Sequence, residues 1–167
     1  AALALLVNRE FPEVSFTYAA FLGPFIGAGV RPIGGWVADK VNSGSKVTLY
    51  SLILMLVACI ATVMGIQSHN FPLFFGSFLV LFFSTGNAAC FRMIPFVFNN
   101  PVHSSLVTGF TAAIAAYGAF FIPKLFGWAY GTQGSVTPAF NILIAFTVLT
   151  IAITWFFYVR KSAGIKC

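Results

Sequence analysis

Five runs of about twenty apolar residues, at 16–37, 47–67, 72–98, 104–126 and 138–159, constrain this chain more than any other feature; no Asp or Glu lies inside them. Each run has the length of a helix that crosses the ~30 Å hydrocarbon core of a bilayer at 1.5 Å per residue. In that core every backbone N–H and C=O must find a partner, which leaves helices and closed barrels. Barrel strands alternate apolar and polar residues over ~10 positions, whereas these runs are continuous. Composition agrees: 59% of the residues are hydrophobic and 7% charged, against about 25% charged in a soluble globular domain. The expected fold is therefore all-α and polytopic.

Residues 1–7 are apolar but stop at Asn8-Arg9-Glu10, so they read as the end of a truncated transmembrane helix. There is no basic n-region, which argues against a signal peptide. Residues 8–167 are expected to hold the five spans as one bundle with a short tail. The connections fall at 8–15 with Pro12, at 38–46, at Gln67–Asn70, at Asn99-Asn100-Pro101, and in a Gly-rich stretch at 127–137. Proline cannot continue a helix and pushes its predecessor out of the α region.

The net charge of +6 sits at the ends of the spans. One side carries Lys40, Lys46, Arg160, Lys161 and Lys166, the other Arg9 and Lys124. The Lys/Arg excess marks the first side as cytoplasmic, with the C-terminus on it. No basic run with interleaved aromatics is present, so nucleic acid is not an expected partner. Cys59, Cys90 and Cys167 are too far apart in sequence to suggest a disulfide or metal site. No nucleophile–base pair, metal cluster or cofactor motif is visible, so neither an enzyme nor a bound cofactor is expected.

Arg31 is the exception to the apolar pattern, lying inside the 16–37 run and followed by Pro32 and Gly34-Gly35. A cation at membrane depth costs at least ~2.5–3.5 kcal/mol on insertion scales and marks a functional site by default. Its guanidinium is a rigid, permanently charged fork of donors that suits a planar oxyanion. The competing reading is that Arg31 snorkels to the cytoplasmic interface. Thr111 has a competing reading too, a bond to its own helix. Tyr117 and Asn87 could each bond an oxyanion or bridge helices. His69 and His103 fall at span ends, where they are expected to be solvated.

Several segments resemble a known family. Gly35-x-x-x-Asp39-Lys40, with Gly44 and Lys46 downstream, is similar to the cytoplasmic signature of the major facilitator superfamily, with a longer Lys40-to-Gly44 spacing than the commonest form. Phe21 to Ala28 running into Arg31-Pro32, the stretch Gly86 to Pro95, and Gly109 to Pro123 together resemble the C-terminal half of the nitrate/nitrite porters of that superfamily. The Gly109–Pro123 stretch resembles the family's second nitrate signature. Ala115 and Ala119 stand where relatives often have glycine.

The resemblance implies the C-terminal six-helix half of a transporter, its first helix truncated. It implies transport of nitrate and nitrite by alternating access. It places Arg31 and Phe91 as substrate-binding residues, with Thr111 and Ala115 lining the site. It gives Gly35, Asp39, Lys40, Gly109 and Gly118 structural or gating roles. The partners implied are nitrate, nitrite, the lipid bilayer and the N-terminal half of the same polypeptide. The absence of acidic residues inside the spans favours nitrate/nitrite exchange, because proton relays commonly use intramembrane carboxylates or histidines. Proton-coupled symport, or transport of another small anion, is the alternative.

Overall fold

The computed structural model describes residues 2–13, 21–85 and 89–160. The start of the 16–37 run, Gly86-Asn87-Ala88 and the tail with Lys161, Lys166 and Cys167 lie outside the described residues. The described residues form α1 (Ala2–Glu10), α2 (Leu22–Val41), α3 (Gly44–Gln67), α4 (Phe71–Thr85), α5 (Ala89–Val97), α6 (Pro101–Gln133) and α7 (Thr137–Thr154). A π-helical turn, Trp155–Val159, follows α7. No strand occurs among the described residues.

Among the described residues, four stretches are long and apolar enough to cross a membrane: Gly44–Gln67, Phe71–Val97, Pro101–Gln133 and Thr137–Val159. The protein is a multi-pass membrane protein. The 20-residue helix α2 has spanning length, but Arg31, Asp39 and Lys40 distinguish its composition from the other four.

Local chemistry sets the helix ends. Asn42, at φ 50°, closes α2 in the left-handed conformation, one that Asn tolerates well. Ser43 then caps α3 by accepting from the Lys46 N–H at 3.4 Å. The turn expected over 38–46 thus contracts to Asn42–Ser43, and Asp39 and Lys40 stay helical. Asn70 accepts from Leu73 N–H at 3.1 Å, starting α4. Asn100 accepts from Val102 N–H at 2.9 Å, with Pro101 as the first helical residue of α6, a position where proline's missing donor costs nothing.

The Gly-rich stretch at 127–137 is mostly not a loop, because α6 runs on to Gln133. Gly127 and Gly131 weaken a helix but do not stop it. The stop comes from Gly134, whose φ of +66° takes the chain out of the helix while its N–H bonds the Tyr130 carbonyl.

Helix α3 is the hub, packing on α2, α4, α5 and α7. Its closest approach is to α4: a Cβ on Gly65 would lie 2.7 Å from the backbone nitrogen of Phe74. One turn back, the buried hydroxyls of Thr62 and Ser77 share a 3.0 Å hydrogen bond across the same seam. The main core lies at the α3–α4 turn end, where Leu6, Val7 and Phe11 meet Ile66, Phe74, Phe78, Phe126, Ala129, Val136 and Phe140. Helix α6 joins this core through Phe126 and Ala129, its only buried residues among those described. The rest of α6 presents Leu106, Phe110, Ile114, Tyr117 and Phe120 outward, an apolar surface suited to lipid or to another part of the protein.

Candidate functional site

Arg31 is the tenth residue of α2 and lies ten residues from its end at Val41. At the helical rise that is about 15 Å of axis, deeper than the sequence boundary at 37 implied. The packed stripe of α2 is Gly23, Val30, Gly34 and Ala38. By helical angle Arg31 sits about 60° off the middle of that stripe, at the border between the bundle and its open side. Its side chain is exposed within this chain.

The other arginines are engaged. Arg9 lies 4.9 Å over the Tyr130 ring and Arg160 lies 5.7 Å over the Phe156 ring. Arg92 donates to Asp39 Oδ1 at 2.5 Å and covers the Phe96 ring at 4.9 Å. Among the described residues Arg31 meets neither a carboxylate nor an aromatic ring.

The Asp39–Arg92 pair gives Arg92 a structural role. Asp39 belongs to the last turn of α2, where the helix dipole disfavours an anion. Arg92 supplies the compensating charge from α5. Asp39 is 69% exposed and Arg92 18%, so the pair adds only about 0–1 kcal/mol to stability. Its value is as a latch between α2 and α5. Gly44 reinforces the same end: a Cβ there would lie 2.8 Å from Met93 Cγ and 3.0 Å from the Ala89 carbonyl, so α3 starts hard against α5. Asp39→Asn is expected to leave the thermal unfolding midpoint nearly unchanged while making a cysteine pair across the α2–α5 end easier to separate. Exchanging the charges (Asp39→Arg with Arg92→Asp) should restore the contact. Distances from paired spin labels at that end check both outcomes, and an unchanged distance distribution in Asp39→Asn would remove the latch role.

The predicted site residues lie on three helices, Arg31 on α2, Phe91 on α5, and Thr111 and Ala115 on α6. The Asp39–Arg92 pair brings the end of α2 against α5, and Phe91 precedes Arg92 on α5. Phe91 is half-buried. Thr111 lines a cleft of about 450 Å³ with Thr48, Leu52, Cys90, Met93, Thr150, Thr154 and Tyr158, which neither Arg31 nor Phe91 lines. Ala115 is exposed on α6. A Cβ added to Gly35, Gly109 or Gly118 would meet nothing within 4 Å. Lys40 is exposed, its ammonium 4.2 Å from the Trp36 ring centre.

One cluster went unread in the sequence. Tyr130 donates from its hydroxyl to Glu10 Oε1 at 2.8 Å while Arg9 covers its ring. This ties the end of α1 to α6 at the end of the bundle opposite Asp39. Placing Tyr130 in a loop hid it.

No group of three or more His, Cys, Asp or Glu that could hold a metal ion occurs among the described residues.

No family model matches the chain. Individual curated proteins do. The chain is 33% identical over 191 residues to the nitrate/nitrite transporter NarU of Escherichia coli (strain K12), an alignment covering 99% of this chain and 41% of NarU. It is 33% identical over 153 residues to the "Probable nitrate/nitrite antiporter NarK2" of Thermus thermophilus, covering 89% of this chain and 34% of the relative. It is 30% identical over 135 residues to the "Probable nitrate transporter NarT" of Staphylococcus haemolyticus (strain JCSC1435), covering 80% and 34%. The chain thus spans about two-fifths or less of the length of the relatives it matches. Helical throughout its described residues and multi-pass, the chain is similar to these nitrate and nitrite transporters over most of its own length.

Proposed function

We propose that this chain is the C-terminal half of a carrier that exchanges nitrate and nitrite by alternating access, with Arg31 as the anion ligand of this half. The observation that carries the reading is the isolation of Arg31. It is a permanent cation midway along a helix of spanning length, beside the packed stripe of α2, with no counter-charge among the described residues. A cation at membrane depth without a partner is costly, and a small anion arriving from outside is the partner that relieves the cost. Snorkelling to the Val41 end would have to cover about 15 Å, which weakens the alternative reading of the residue.

In this mechanism a second cation from the remainder of the polypeptide completes the anion site at the interface of the two halves. Transporters of this superfamily bind at such repeat interfaces near the midplane. The anion screens the two cations from each other, so the loaded carrier reorients more readily than the empty one. Phe91 of α5 packs on the flat face of the anion. Thr111 and Ala115 contribute the wall from α6. Asp39–Arg92 and the Glu10–Tyr130 contact stand at opposite ends of the bundle and hold its helices in register.

Exchange fits the positions of the carboxylates. Asp39 lies in the last turn of α2, Glu10 is the last residue of α1, and Glu13 follows in the turn region. None is placed to carry a proton through a span. The Lys/Arg excess supports a cytoplasmic C-terminus, and on this reading the protein sits in the cell's inner membrane. Counterflow in proteoliposomes tests the proposal, using the full-length protein. Labelled nitrate outside should accumulate against trapped nitrite with no proton gradient, and a proton ionophore should leave the rate unchanged. Uptake that follows an imposed pH gradient and ignores trapped nitrite would sink the exchange mode.

A further inference from the structure

Helix α2 carries a notch one turn before Arg31. Gly23 and Gly27 stand four residues apart and share one ridge of the helix, and Arg31 is the next position on that ridge. The ring of Phe82, from α4, lies in the notch. A Cβ on Gly23 would fall 2.5 Å from Phe82 Cε2 and 2.7 Å from its Cζ. A Cβ on Gly27 would fall 3.8 Å from Phe82 Cδ1 and 3.8 Å from the Phe82 carbonyl oxygen, and among the described residues no other helix comes within 4 Å of it. At Gly29 and Gly35, on either side of Arg31, a Cβ would meet nothing within 4 Å. The close approach to this part of α2 is therefore confined to the notch.

The ring is braced from behind. Phe74, Phe78 and Phe82 recur every four residues along α4, with ring centroids 5.7 Å and 5.1 Å apart, and the last pair meets edge to face. Phe74 and Phe78 are buried in the main core. A ring backed by a close-packed core cannot yield without disturbing that core. Phe82 is thus a stiff spacer that holds α2 off α4 by the thickness of a ring, at the point where glycine leaves the backbone of α2 bare. Arg31 lies about 60° around α2 from the packed stripe. A small roll or slide of α2 on this ring therefore carries the guanidinium sideways, and its long side chain magnifies the displacement. Two aligned hydrogen bonds to a planar anion tolerate little misplacement.

We propose that Phe82 is a positioning residue for anion binding: seated in the Gly23–Gly27 notch, it sets the height and rotation at which α2 presents Arg31. The inference rests on Arg31 being the anion ligand, and it makes the affinity of that ligand depend on a ring carried by another helix.

The test uses the full-length protein in proteoliposomes, with nitrate–nitrite counterflow resolved into half-saturating nitrate and maximal rate. Phe82→Leu removes the ring, and Gly23→Ala drives a methyl group into it. Each should raise half-saturating nitrate about tenfold, the loss of roughly one charge-assisted hydrogen bond, while the maximal rate stays close to wild type. The two substitutions together should recover most of the loss, because the methyl fills the space that the ring leaves. Spin labels at Gly29→Cys and Gly76→Cys, both open positions, report the α2–α4 placement in a protein without its native cysteines. Their separation should shorten in Phe82→Leu, lengthen in Gly23→Ala and return toward wild type in the pair. In an Arg31→Lys background Phe82→Leu should add little, because the fork it positions is gone. If Gly23→Ala does not fold, Phe82→Leu in the two backgrounds decides alone. Unchanged half-saturation in Phe82→Leu beside an impaired Arg31→Lys overturns the positioning role and leaves Arg31 as the ligand. Additive losses in the Phe82→Leu, Arg31→Lys protein overturn it as well, since the ring then acts independently of Arg31. Wild-type exchange in Arg31→Lys removes the ligand itself, and the positioning role with it.

Discussion

Arg31→Lys is expected to lower nitrate–nitrite counterflow by about 10- to 100-fold in the full-length protein while leaving it folded. The substitution keeps the charge and removes the fork. Guanidinium holds a planar oxyanion through two parallel hydrogen bonds, and an ammonium acts on it as a point charge. Losing one charge-assisted bond costs about 1.5–3 kcal/mol, and every 1.4 kcal/mol is a factor of ten. Folding should be indifferent, because Arg31 has no ion pair among the described residues and its side chain is exposed within the chain. The variant also separates the two readings of the residue. Lysine snorkels as readily as arginine, so a merely interfacial Arg31 predicts unchanged flux. Wild-type counterflow in Arg31→Lys would withdraw the assignment of this residue as the anion ligand.

What could be read in the sequence was whatever is encoded within one helix. Apolar runs over 47–67, 72–98, 104–126 and 138–159 could be read as candidate spans, because membrane burial imposes composition continuously over ~20 residues. Ends were harder. Ala38–Val41 and 127–133 carry the polar or glycine residues of loops, yet no proline interrupts them, and the helices continue until Asn42 and Gly134 adopt positive φ. Asn100-Pro101, by contrast, was legible because a cap residue followed by proline acts locally.

Pairings across the fold had no such local signal. Arg92 and Asp39 are 53 positions apart, and Tyr130 and Glu10 are 120 apart. Nothing in either segment names its partner. The same limit applies to the candidate site. Arg31 stood out because a cation in an apolar run is costly in itself. Phe91 and Thr111 are ordinary residues of such runs, and resemblance alone singled them out. That Arg92, the neighbour of Phe91, meets α2 at Asp39 is a contact that no spacing within α5 could disclose.

The glycines turn that lesson into a second large effect. Gly65→Ala is expected to destabilise the protein by about 1–3 kcal/mol, the usual cost of overpacking a close contact. The added methyl would lie 2.7 Å from Phe74 N and 2.8 Å from Phe74 Cα. Those are backbone atoms, which no rotamer change can move aside. Relief requires α3 and α4 to separate, which stretches the buried Thr62–Ser77 hydrogen bond one turn away. Gly109 and Gly118 behave in the opposite way. Nothing stands within 4 Å of a Cβ at either, and replacing an uncrowded mid-helix glycine with alanine favours the helix by about 0.5–1 kcal/mol. If α6 uses these two positions to approach the other half of the carrier, Gly109→Ala and Gly118→Ala should keep or raise the unfolding midpoint and still slow counterflow. Thermal unfolding in detergent, read beside counterflow for the same three variants, distinguishes the roles. A wild-type midpoint for Gly65→Ala would contradict the α3–α4 contact. Wild-type counterflow in both α6 variants would mean that the small residues of α6 have no part in how the halves meet.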